Sequence, residues 1–530
     1  MLTVERHLSR LWDHRSADVQ LRRARGASAP ASCDVAELRA AGGLFGLVRR
    51  DGPVLTLATD HLRSWPLYYR IGQDAIHVAD NAFDIADAVP DTPLDAACMQ
   101  EFLHAGYVIG SDTLFAGVHQ VPAGTTVTID LRDGRVASRL ERPLRLQPVP
   151  PPLESLDVFA ERFSEGVDDA MARLIEAADG RTIALPLSAG LDSRLLATRL
   201  ARSGYPHVLT YTYGLPGAAE AEASRRIAAA LGLPWQKVEL HPARMQEAWQ
   251  SPETADFLRE SSGGAALPHI QDWYAVRMLT RSGALAPASI VIPGHTVVSA
   301  ARDAALRDVP NPTGEQILAA VTPWTFDLRS RPEAVSGNPK VRAALAEFLR
   351  EAAVDGSRRS TMSAVRWFFH RERQVKYILN SVRAYEHFGL DWALPLHDLQ
   401  LWDLYEQAPD AAIESRDWYR SLIERDHAEQ LGLPAPATVS GSGAVSAPRA
   451  MLRRAMRVTG AAALHTRLRR ISGVVDHPLG FDALLTGTSR TRLTAATLRG
   501  QTPIGMYAEQ FLRDEWSRGA RLFTTRPIHR

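Results

Sequence analysis

The sequence ALPLSAGLDSRLLATRL, residues 184–200, joins an apolar strand, a loop of small residues and an amphipathic helix that begins near Asp192 and Ser193. A small-residue loop at the start of a helix exposes backbone N–H groups, which form an anion site together with the helix dipole. The hydroxyls of Ser188 and Ser193 add donors to this site. The same residues also fit an ordinary turn in which Asp and Ser cap a helix, so both interpretations stay open on this pattern alone.

Asp192 places a carboxylate in the same loop, where it would repel a bound phosphate. A cation between the two groups removes this repulsion, and Mg²⁺ commonly binds carboxylates and phosphates together. If the loop is a phosphate site rather than a capped turn, Asp192 suggests that the site also holds Mg²⁺.

Short apolar runs and helices alternate on both sides of this stretch. Strands are predicted at 182–187, 207–213, 236–240 and 289–292, and helices at 153–178, 193–203, 218–231 and 270–281. This alternation predicts an α/β domain with a doubly wound parallel sheet. Residues from about 310 to 430 are predicted to be mainly helical, and the segment PAPATVSGSGAVSAP at 434–448 is predicted to be a flexible loop.

The first part of the chain has a different pattern. The segment GLFGLVRRDGPVLTLATD at 43–60 alternates apolar residues around the Asp51–Gly52 turn, which predicts a β-hairpin, and the residues from Pro66 continue the pattern. A helix is predicted at 93–104, and a further strand pair surrounds residues 131–134. Together these features predict a hairpin-rich α+β domain.

The domain boundaries follow from these changes of pattern. The predicted domains are an α+β domain at 1–146, an α/β domain at 152–430 and a helical, basic extension at 431–530, with the proline-rich QPVPPPLE at 147–154 as a stiff linker. In the extension, the basic amphipathic helices of residues 449–470 are either a solvated face or a surface for an anionic glycan, a leader peptide or a membrane.

Composition limits the classes of function. With 530 residues the chain exceeds the size of one hydrophobic core, and its net charge of +1 argues against general attraction to nucleic acid or membranes. Its two cysteines, Cys33 and Cys98, have no disulfide or metal-ligand pattern and fit a reducing compartment. The polar first 15 residues are unlike a secretory signal, and no apolar stretch approaches the roughly 20 residues of a membrane span. We therefore expect a cytoplasmic protein without a nucleic-acid partner or a transmembrane segment.

Several segments resemble the asparagine synthetase family. The loop SAGLDS at 188–193 resembles its SGGxDS pyrophosphate loop, and 207–240 is similar to its second strand, helix and third strand. Residues 371–398, RERQVKYILNSVRAYEHFGLDWALPLHD, are similar to a helical segment that ends in a P-L-x-D turn. TDHLRSWPLYYR at 59–70 and SDTLFAGVHQVPAGTTVTI at 111–129 resemble the glutaminase half of the same enzymes.

This resemblance spans roughly residues 40 to 425 and implies a fold and an activity. It implies a degenerate type 2 glutamine amidotransferase domain of the Ntn-hydrolase fold, followed by an ATP-pyrophosphatase domain of the HUP-like class. The implied activity uses ATP and Mg²⁺ to adenylate a small-molecule or peptide carboxylate, after which an amine or ammonia forms the amide. A separate glutaminase or another pathway partner, and a homodimer, are further expectations.

The resemblance also assigns roles to residues. It implies that Asp192 binds the metal ion. The residues that it implies for catalysis are Asp192, Arg383, Tyr385, Glu386 and Arg416. A structural helix face explains residues 383–386 equally well. Arg416 stands near the position of a late basic residue, with Arg420 as the other candidate. The residues expected to contact the nucleotide are Leu187, Ser188, Ala189, Gly190, Leu191, Asp192, Ser193, Thr210, Thr212, Gly294 and His295. His269 and Asp272 either face the substrate or cap a helix.

The chain departs from the family pattern at several positions. Leu2 replaces the cysteine nucleophile of glutamine-dependent members, so we expect no glutaminase activity. Val298 stands where relatives have an acidic residue, and Asp303 follows five residues later. Ala189 replaces the first glycine of the loop, which would cost about 1 kcal/mol if that position needed a positive φ.

Three functions therefore remain open. The first is an amide ligase that lacks glutaminase activity, and the second is its intramolecular variant, a cyclase of the β-lactam or lasso-peptide synthetase type. The third is a catalytically impaired scaffold, which the residues Leu2 and Val298 favour.

Overall fold

A computed structural model of the chain describes residues 1–23, 33–40, 43–140, 151–153, 155–299, 306, 309–329, 335, 337–352, 354–432, 481–485 and 489–513. The predicted loop at 434–448 and the basic helices at 449–470 lie outside these residues, as does most of the predicted linker at 147–154. No helix in the described ranges combines the length and the apolar character needed to cross a membrane.

The described strands belong to three sheets. They are β1 (Thr3–His7), β2 (Asp13–Ser16), β3 (Val19–Arg23), β4 (Phe45–Asp51), β5 (Val54–Thr59), β6 (Tyr68–Ile71), β7 (Ala75–Ala79), β8 (His119–Gln120), β9 (Thr125–Asp130), β10 (Val136–Leu140), β11 (Ile183–Pro186), β12 (Val208–Gly214), β13 (Trp235–Glu239), β14 (Ile290–Val291) and β15 (Asp391–Trp392).

Helices surround the sheets and make up most of the described residues in the second half of the chain. The α-helices are Val35–Ala40, Ala82–Ala88, Ala96–Ala105, Leu156–Ala178, Leu191–Ser203, Ala219–Ala230, Pro242–Trp249, Glu253–Ser262, Trp273–Arg281, Gly314–Thr325, Pro339–Glu351, Arg358–Phe369, Val382–His387, Leu399–Tyr405, Asp410–Glu414, Asp417–Gln430, Arg490–Leu498 and Pro503–Leu512. A π-helix spans His370–Ile378, and 3-10 turns span Leu379–Ser381, Pro395–His397 and Phe481–Leu484.

The first domain is built from two sheets that face each other. An antiparallel sheet has the order β10-β9-β5-β4-β3-β2, and a second sheet has the order β1-β7-β6-β8, in which β1 is parallel to β7. Val48 and Leu57 of the first sheet share an apolar core with Tyr69 and Val78 of the second, so the sheets pack face to face. This architecture agrees with the predicted hairpin-rich α+β domain, while its likeness to Ntn hydrolases stays a prediction.

The second domain contains a five-stranded parallel sheet of order β13-β12-β11-β14-β15. In β11, Ile183 is in register with Val208 of β12 on one side and with Ile290 of β14 on the other. The strand order therefore reverses between β11 and β14, which confirms the predicted doubly wound sheet. The strands and helices predicted between 182 and 292 are observed with ends that differ by at most three residues.

Buried polar contacts join the two domains. The ring of His61 bonds the carbonyl of His397 at 2.9 Å, and the ammonium of Lys376 donates to the carbonyls of Val108 at 2.8 Å and Gly110 at 2.7 Å. Arg383 in the second domain donates to the carbonyl of Ser64. Because both domains supply buried groups, the junction holds them in a defined relative position.

The described part of the C-terminal extension also packs against the first domain. The ring of Phe511 stacks on that of Phe102 at 5.7 Å, and the amide of Thr502 donates to the carbonyl of Leu328 at 3.0 Å. Phe511 lies in the same large apolar core as Phe102 and Leu195. This part of the predicted extension is therefore an integral part of the fold.

Candidate functional site

The loop between β11 and the helix Leu191–Ser203 folds around one hydroxyl group. The Oγ of Ser193 lies 3.1 Å from the amide nitrogen of Ser188 and 3.0 Å from its Oγ, and it donates to the carbonyl of Ser188 at 3.2 Å. The amide of Gly190 in turn donates to the Oγ of Ser188 at 3.1 Å. We call residues Ser188–Ser193 the phosphate loop. The N-cap of the helix is Gly190, so no side chain caps its first-turn N–H groups.

A second loop, after β14, packs directly against the phosphate loop. A Cβ added at Gly294 would lie 3.0 Å from the amide nitrogen of Ser193 and 3.4 Å from the Cβ of Asp192. Any side chain at Gly294 would therefore press on the start of the helix. Because β11 and β14 flank the point where the strand order reverses, the two loops lie where doubly wound sheets bind ligands.

Two of the predicted catalytic residues meet at this site. A guanidinium nitrogen of Arg416 donates to Asp192 Oδ1 at 2.9 Å, although 224 residues separate them in the sequence. Burial raises the pKa of the Asp192 carboxyl, and the charge of Arg416 opposes that shift. The pair puts an arginine, a good partner for phosphate oxygens, beside the uncapped helix end.

Tyr419 is a third member of this group that the sequence did not suggest. Its ring lies 5.1 Å from the guanidinium of Arg416, and its side chain is fully buried. Burial, followed by the charge of Asp192, raises the pKa of Tyr419 well above its ordinary value. In the sequence, only its position three residues after Arg416 could have indicated Tyr419, because residues three apart share a helix face.

A resident metal ion has few protein ligands here. Among the described residues, Asp192 belongs to no cluster of three or more Asp, Glu, His or Cys side chains close enough to share one ion. Val298, at the expected acidic position, is buried in the apolar core, and Asp303 lies outside the described residues. The donor set therefore fits an ion whose other ligands come from outside the protein, such as phosphate oxygens and water.

The backbone at Ala189 shows whether alanine, in place of the first glycine of the family loop, strains this position. The described non-glycine residues with a positive φ are Arg63, Asp91, Asp179, Ala288 and Asn311. Ala189 is not among them, so its Cβ carries no conformational penalty in the loop.

The predicted nucleotide contacts in β12 are engaged within the sheet. The hydroxyl of Thr210 donates to the carbonyl of Pro234 at 2.7 Å, and that of Thr212 donates to the carbonyl of Leu187 at 2.6 Å. Leu187 is itself buried, and Leu191 is half-buried at the first position of the helix. Thr212 thus ties β12 to the base of the phosphate loop.

Three other predicted catalytic residues, Arg383, Tyr385 and Glu386, do not contact the phosphate loop. Arg383 forms an ion pair with Glu386, which also accepts from the indole of Trp392 at 2.9 Å. Although burial opposes it, the guanidinium groups of Arg383 and Arg22 hold the pKa of Glu386 below its ordinary value. Arg383 and Glu386 line a cleft of about 680 Å³ between the domains, and no residue of the phosphate loop lines this cleft.

Tyr385 points into the interior of the second domain. Its hydroxyl and that of Tyr213 both donate to the carboxylate of Asp272, which is buried. Asp272 occupies the N-cap position of the helix Trp273–Arg281 but makes no capping bond. The structure therefore brings Tyr385 and Asp272 together, away from Arg383 and Glu386.

Burial disfavours the charged form of both histidines that were weighed as candidates. His295 Nε2 shares a hydrogen bond with the Oγ of Ser381 at 3.0 Å, and burial lowers the pKa of His295 to about 3. Burial also lowers the pKa of His269, whose ring lies 5.5 Å from that of Tyr377. His295 directly follows Gly294, so it remains beside the phosphate loop as a neutral polar group.

Comparisons with known proteins agree with this picture at the level of the family. The asparagine synthase family model matches residues 162–284, which include β11, the phosphate loop, β12 and β13. A comparison with curated proteins finds no match.

Solved structures give distant likenesses. An NH₃-dependent NAD synthetase from Campylobacter jejuni is 17% identical, with 39% of this chain and 97% of that chain covered and a TM-score of 0.20. A NAD⁺ synthetase from Burkholderia pseudomallei is 20% identical, with 40% and 96% covered and a TM-score of 0.18. A U34-tRNA thiolase from Methanococcus maripaludis is 10% identical, with 55% and 86% covered and a TM-score of 0.19. Likenesses this weak do not bear on the activity. The match over residues 162–284 relates this part of the chain to the asparagine synthase family.

Proposed function

We propose that the chain is an ATP-dependent amide-forming ligase that adenylates a carboxylate and transfers the acyl group to an amine or to ammonia. The observation that carries the proposal is the phosphate loop, in which Ser193 holds Ser188 in place below an uncapped helix end. The match to the asparagine synthase family over residues 162–284 supports the same reaction class.

The reaction has two steps. An oxygen of the substrate carboxylate attacks the α-phosphorus of MgATP, and the bond from that phosphorus to pyrophosphate breaks. The nitrogen of the amine then attacks the acyl carbon, the bond to AMP breaks, and the nitrogen loses a proton. Mg²⁺ bound to ATP neutralises charge on the leaving pyrophosphate.

The chain's own residues bind and stabilise the leaving group in this proposal. Backbone N–H groups at the start of the helix and the hydroxyl of Ser188 donate to pyrophosphate oxygens, and the helix dipole favours their negative charge. Asp192 would hold Mg²⁺, and Arg416, which now bonds Asp192 at 2.9 Å, would be available to the phosphate oxygens. In the resting chain the Asp192–Arg416 pair keeps both charges compensated.

We propose that the first domain does not release ammonia from glutamine. Cys98 is fully buried, and burial raises the pKa of its thiol, so it does not act as a nucleophile. The amide of Leu2 donates to the carbonyl of Leu131 at 2.6 Å, which ties position 2 to the sheet. The nitrogen therefore comes from an amine, from free ammonia or from a separate glutaminase.

One observation favours a second candidate function, a nucleotide-binding scaffold. Val298 is 2% exposed within the apolar core, so the carboxylate that the family resemblance leads us to expect has no counterpart at that position. A scaffold of this kind would bind MgATP without forming AMP.

Calorimetric titration of MgATP into the full chain tests the proposal. We expect binding that requires Mg²⁺ and that weakens at least about tenfold in Asp192→Asn, because the variant loses the carboxylate that faces the metal. The matched control is Asp168→Asn, which removes another aspartate paired with an arginine, Arg199, at 3.0 Å. Absence of MgATP binding to the unaltered chain would overturn the proposal.

Product analysis separates the ligase from the scaffold. Incubation with MgATP and panels of carboxylates and amines should release AMP and pyrophosphate in equal amounts. MgATP binding without AMP across these panels would instead support the scaffold.

A further inference from the structure

Three potential metal ligands lie together on the outer face of the four-stranded sheet. Glu5 and His7 are two residues apart on β1, and Glu5 is in register with His77 on the neighbouring β7. Successive side chains of a strand point to opposite faces. Ile76 and Val78 fill the core between the sheets, so His77 points outward, on the same face as the other two residues.

The spacing of the ligand atoms matches a metal site. His77 Nδ1 lies 3.2 Å from His7 Nε2 and 3.3 Å from the Oε2 of Glu5, and all three atoms lie within 4.8 Å of one another. Two ligands bound at about 2.0–2.1 Å to one tetrahedral Zn²⁺ are themselves about 3.3–3.4 Å apart. We propose that Glu5, His7 and His77 bind a divalent transition metal ion, with Zn²⁺ as the expected ion.

Hydrogen bonding alone accounts for only one of the two close contacts of His77 Nδ1. His77 Nδ1 carries at most one proton, yet it is equally close to an imidazole nitrogen and to a carboxylate oxygen. A single N–H cannot point at both acceptors, so one of the two close contacts would lack a good hydrogen bond. A metal ion between the three atoms satisfies both contacts at once.

The chemistry and access of the cluster fit the same ion. Two imidazoles and one carboxylate are a common ligand set for Zn²⁺, and they leave one position for water. The side chain of Glu5 is 53% exposed whereas that of His77 is 13% exposed, so an ion can enter from the side of Glu5. Arg70, in register with His77 on β6, donates to the carbonyl of Ala116 at 3.0 Å, and its charge reduces the affinity without blocking the site.

A bound ion would connect two strands. Among the described strands, β1 lies at the edge of its sheet and pairs with β7 alone. Because Glu5 and His7 come from β1 and His77 comes from β7, the ion would hold the edge strand to the sheet. We therefore expect Zn²⁺ to slow the hydrogen exchange of the β1 amides.

Titration of the full, chelator-treated chain with Zn²⁺ tests the proposal without ATP. We expect one equivalent to bind, with an affinity that falls at least about tenfold in Glu5→Gln, His7→Gln and His77→Gln, since loss of supporting residues alone costs 10–100-fold. The matched control is His119→Gln, which removes a histidine from β8 of the same sheet that pairs with Asp112 at 3.4 Å. Substitution with Co²⁺ should give the strong visible absorption of a four-coordinate ion.

Several results would overturn the proposal. They are no Zn²⁺ binding to the unaltered chain at micromolar concentration, unchanged binding in Glu5→Gln and His77→Gln, or an equal loss in His119→Gln. The chain has 17 histidines, so the control separates this cluster from adventitious binding. Because Glu5 is largely exposed, Glu5→Gln keeps the fold and the test stays decisive even if a histidine variant unfolds.

Discussion

Replacement of Ser193 by alanine tests whether the phosphate loop is held in shape before the nucleotide arrives. The substitution removes the oxygen that accepts from the Ser188 amide at 3.1 Å and donates to the Ser188 carbonyl at 3.2 Å. Ser193 is 4% exposed, so water has little room to take over these bonds. The amide of Ser188 would then lack its acceptor, and the loop would lose the contact that closes it.

The expected magnitude follows from this loss. A polar group left without its partner costs about 1–3 kcal/mol. We expect the free energy of unfolding to fall by an amount in this range. If the loop must close again to bind phosphate, the affinity for MgATP falls by roughly 5- to 150-fold, since 1.4 kcal/mol corresponds to a factor of ten.

Two measurements check this prediction: urea unfolding without nucleotide, and calorimetric titration with MgATP. Ser224→Ala is the matched control, because Ser224 is also fully buried but its hydroxyl only returns to the carbonyl of Glu220 at 2.9 Å within a helix. The control should keep the wild-type affinity for MgATP. If Ser193→Ala binds MgATP as tightly as Ser224→Ala does, the loop is not preorganised by Ser193 and the reasoning fails.

Three other substitutions probe the site and the domain junction. Gly294→Ala places a Cβ 3.0 Å from the Ser193 amide nitrogen, so MgATP affinity measured by calorimetry should fall at least about tenfold. Lys376→Met removes the ammonium that lies 2.6 Å from the buried carboxylate of Glu372 and leaves it with Arg371, at 3.5 Å, as a charge partner, so urea unfolding should show a loss of up to about 3–5 kcal/mol. Burial raises the pKa of Glu101 from 4.5 to about 8, so between these values the folded chain holds a proton that the unfolded chain releases. Stability should therefore fall by up to about 1.4 kcal/mol per pH unit as pH rises through this window, and Glu101→Gln should flatten that slope in urea unfolding at several pH values.

The elements around the phosphate loop could be predicted because their patterns are local. The strands β11 and β12 are largely apolar runs bounded by Gly and Pro, β13 directly follows Pro234, and the helices between these strands show an apolar face of period 3.6. By contrast, β15 has two residues and lies inside a segment that the pattern assigned to a helix. A strand this short carries no periodicity, and only its pairing with β14 defines it.

Other features depend on contacts between distant parts of the chain. The sequence E-x-x-x-K of Glu372 and Lys376 is typical of an exposed helix face, yet both side chains are buried because the Val108–Gly110 turn covers them. The resemblance named Asp192 and Arg416 separately, but their contact requires the helix Asp417–Gln430 to pack on the helix Leu191–Ser203. Local propensity holds no information on either contact.

The stacking of Phe511 on Phe102 has a consequence for the order of events during synthesis. At about 5–20 residues per second, the roughly 400 residues between these rings take the ribosome about 20–80 s to add. During that interval the outer helices of the first domain expose an apolar surface that is later covered by a helix not yet made. A ribosome-bound chain would therefore offer this surface to chaperones, and the packing around Phe102 would be complete only after residue 511 has been added.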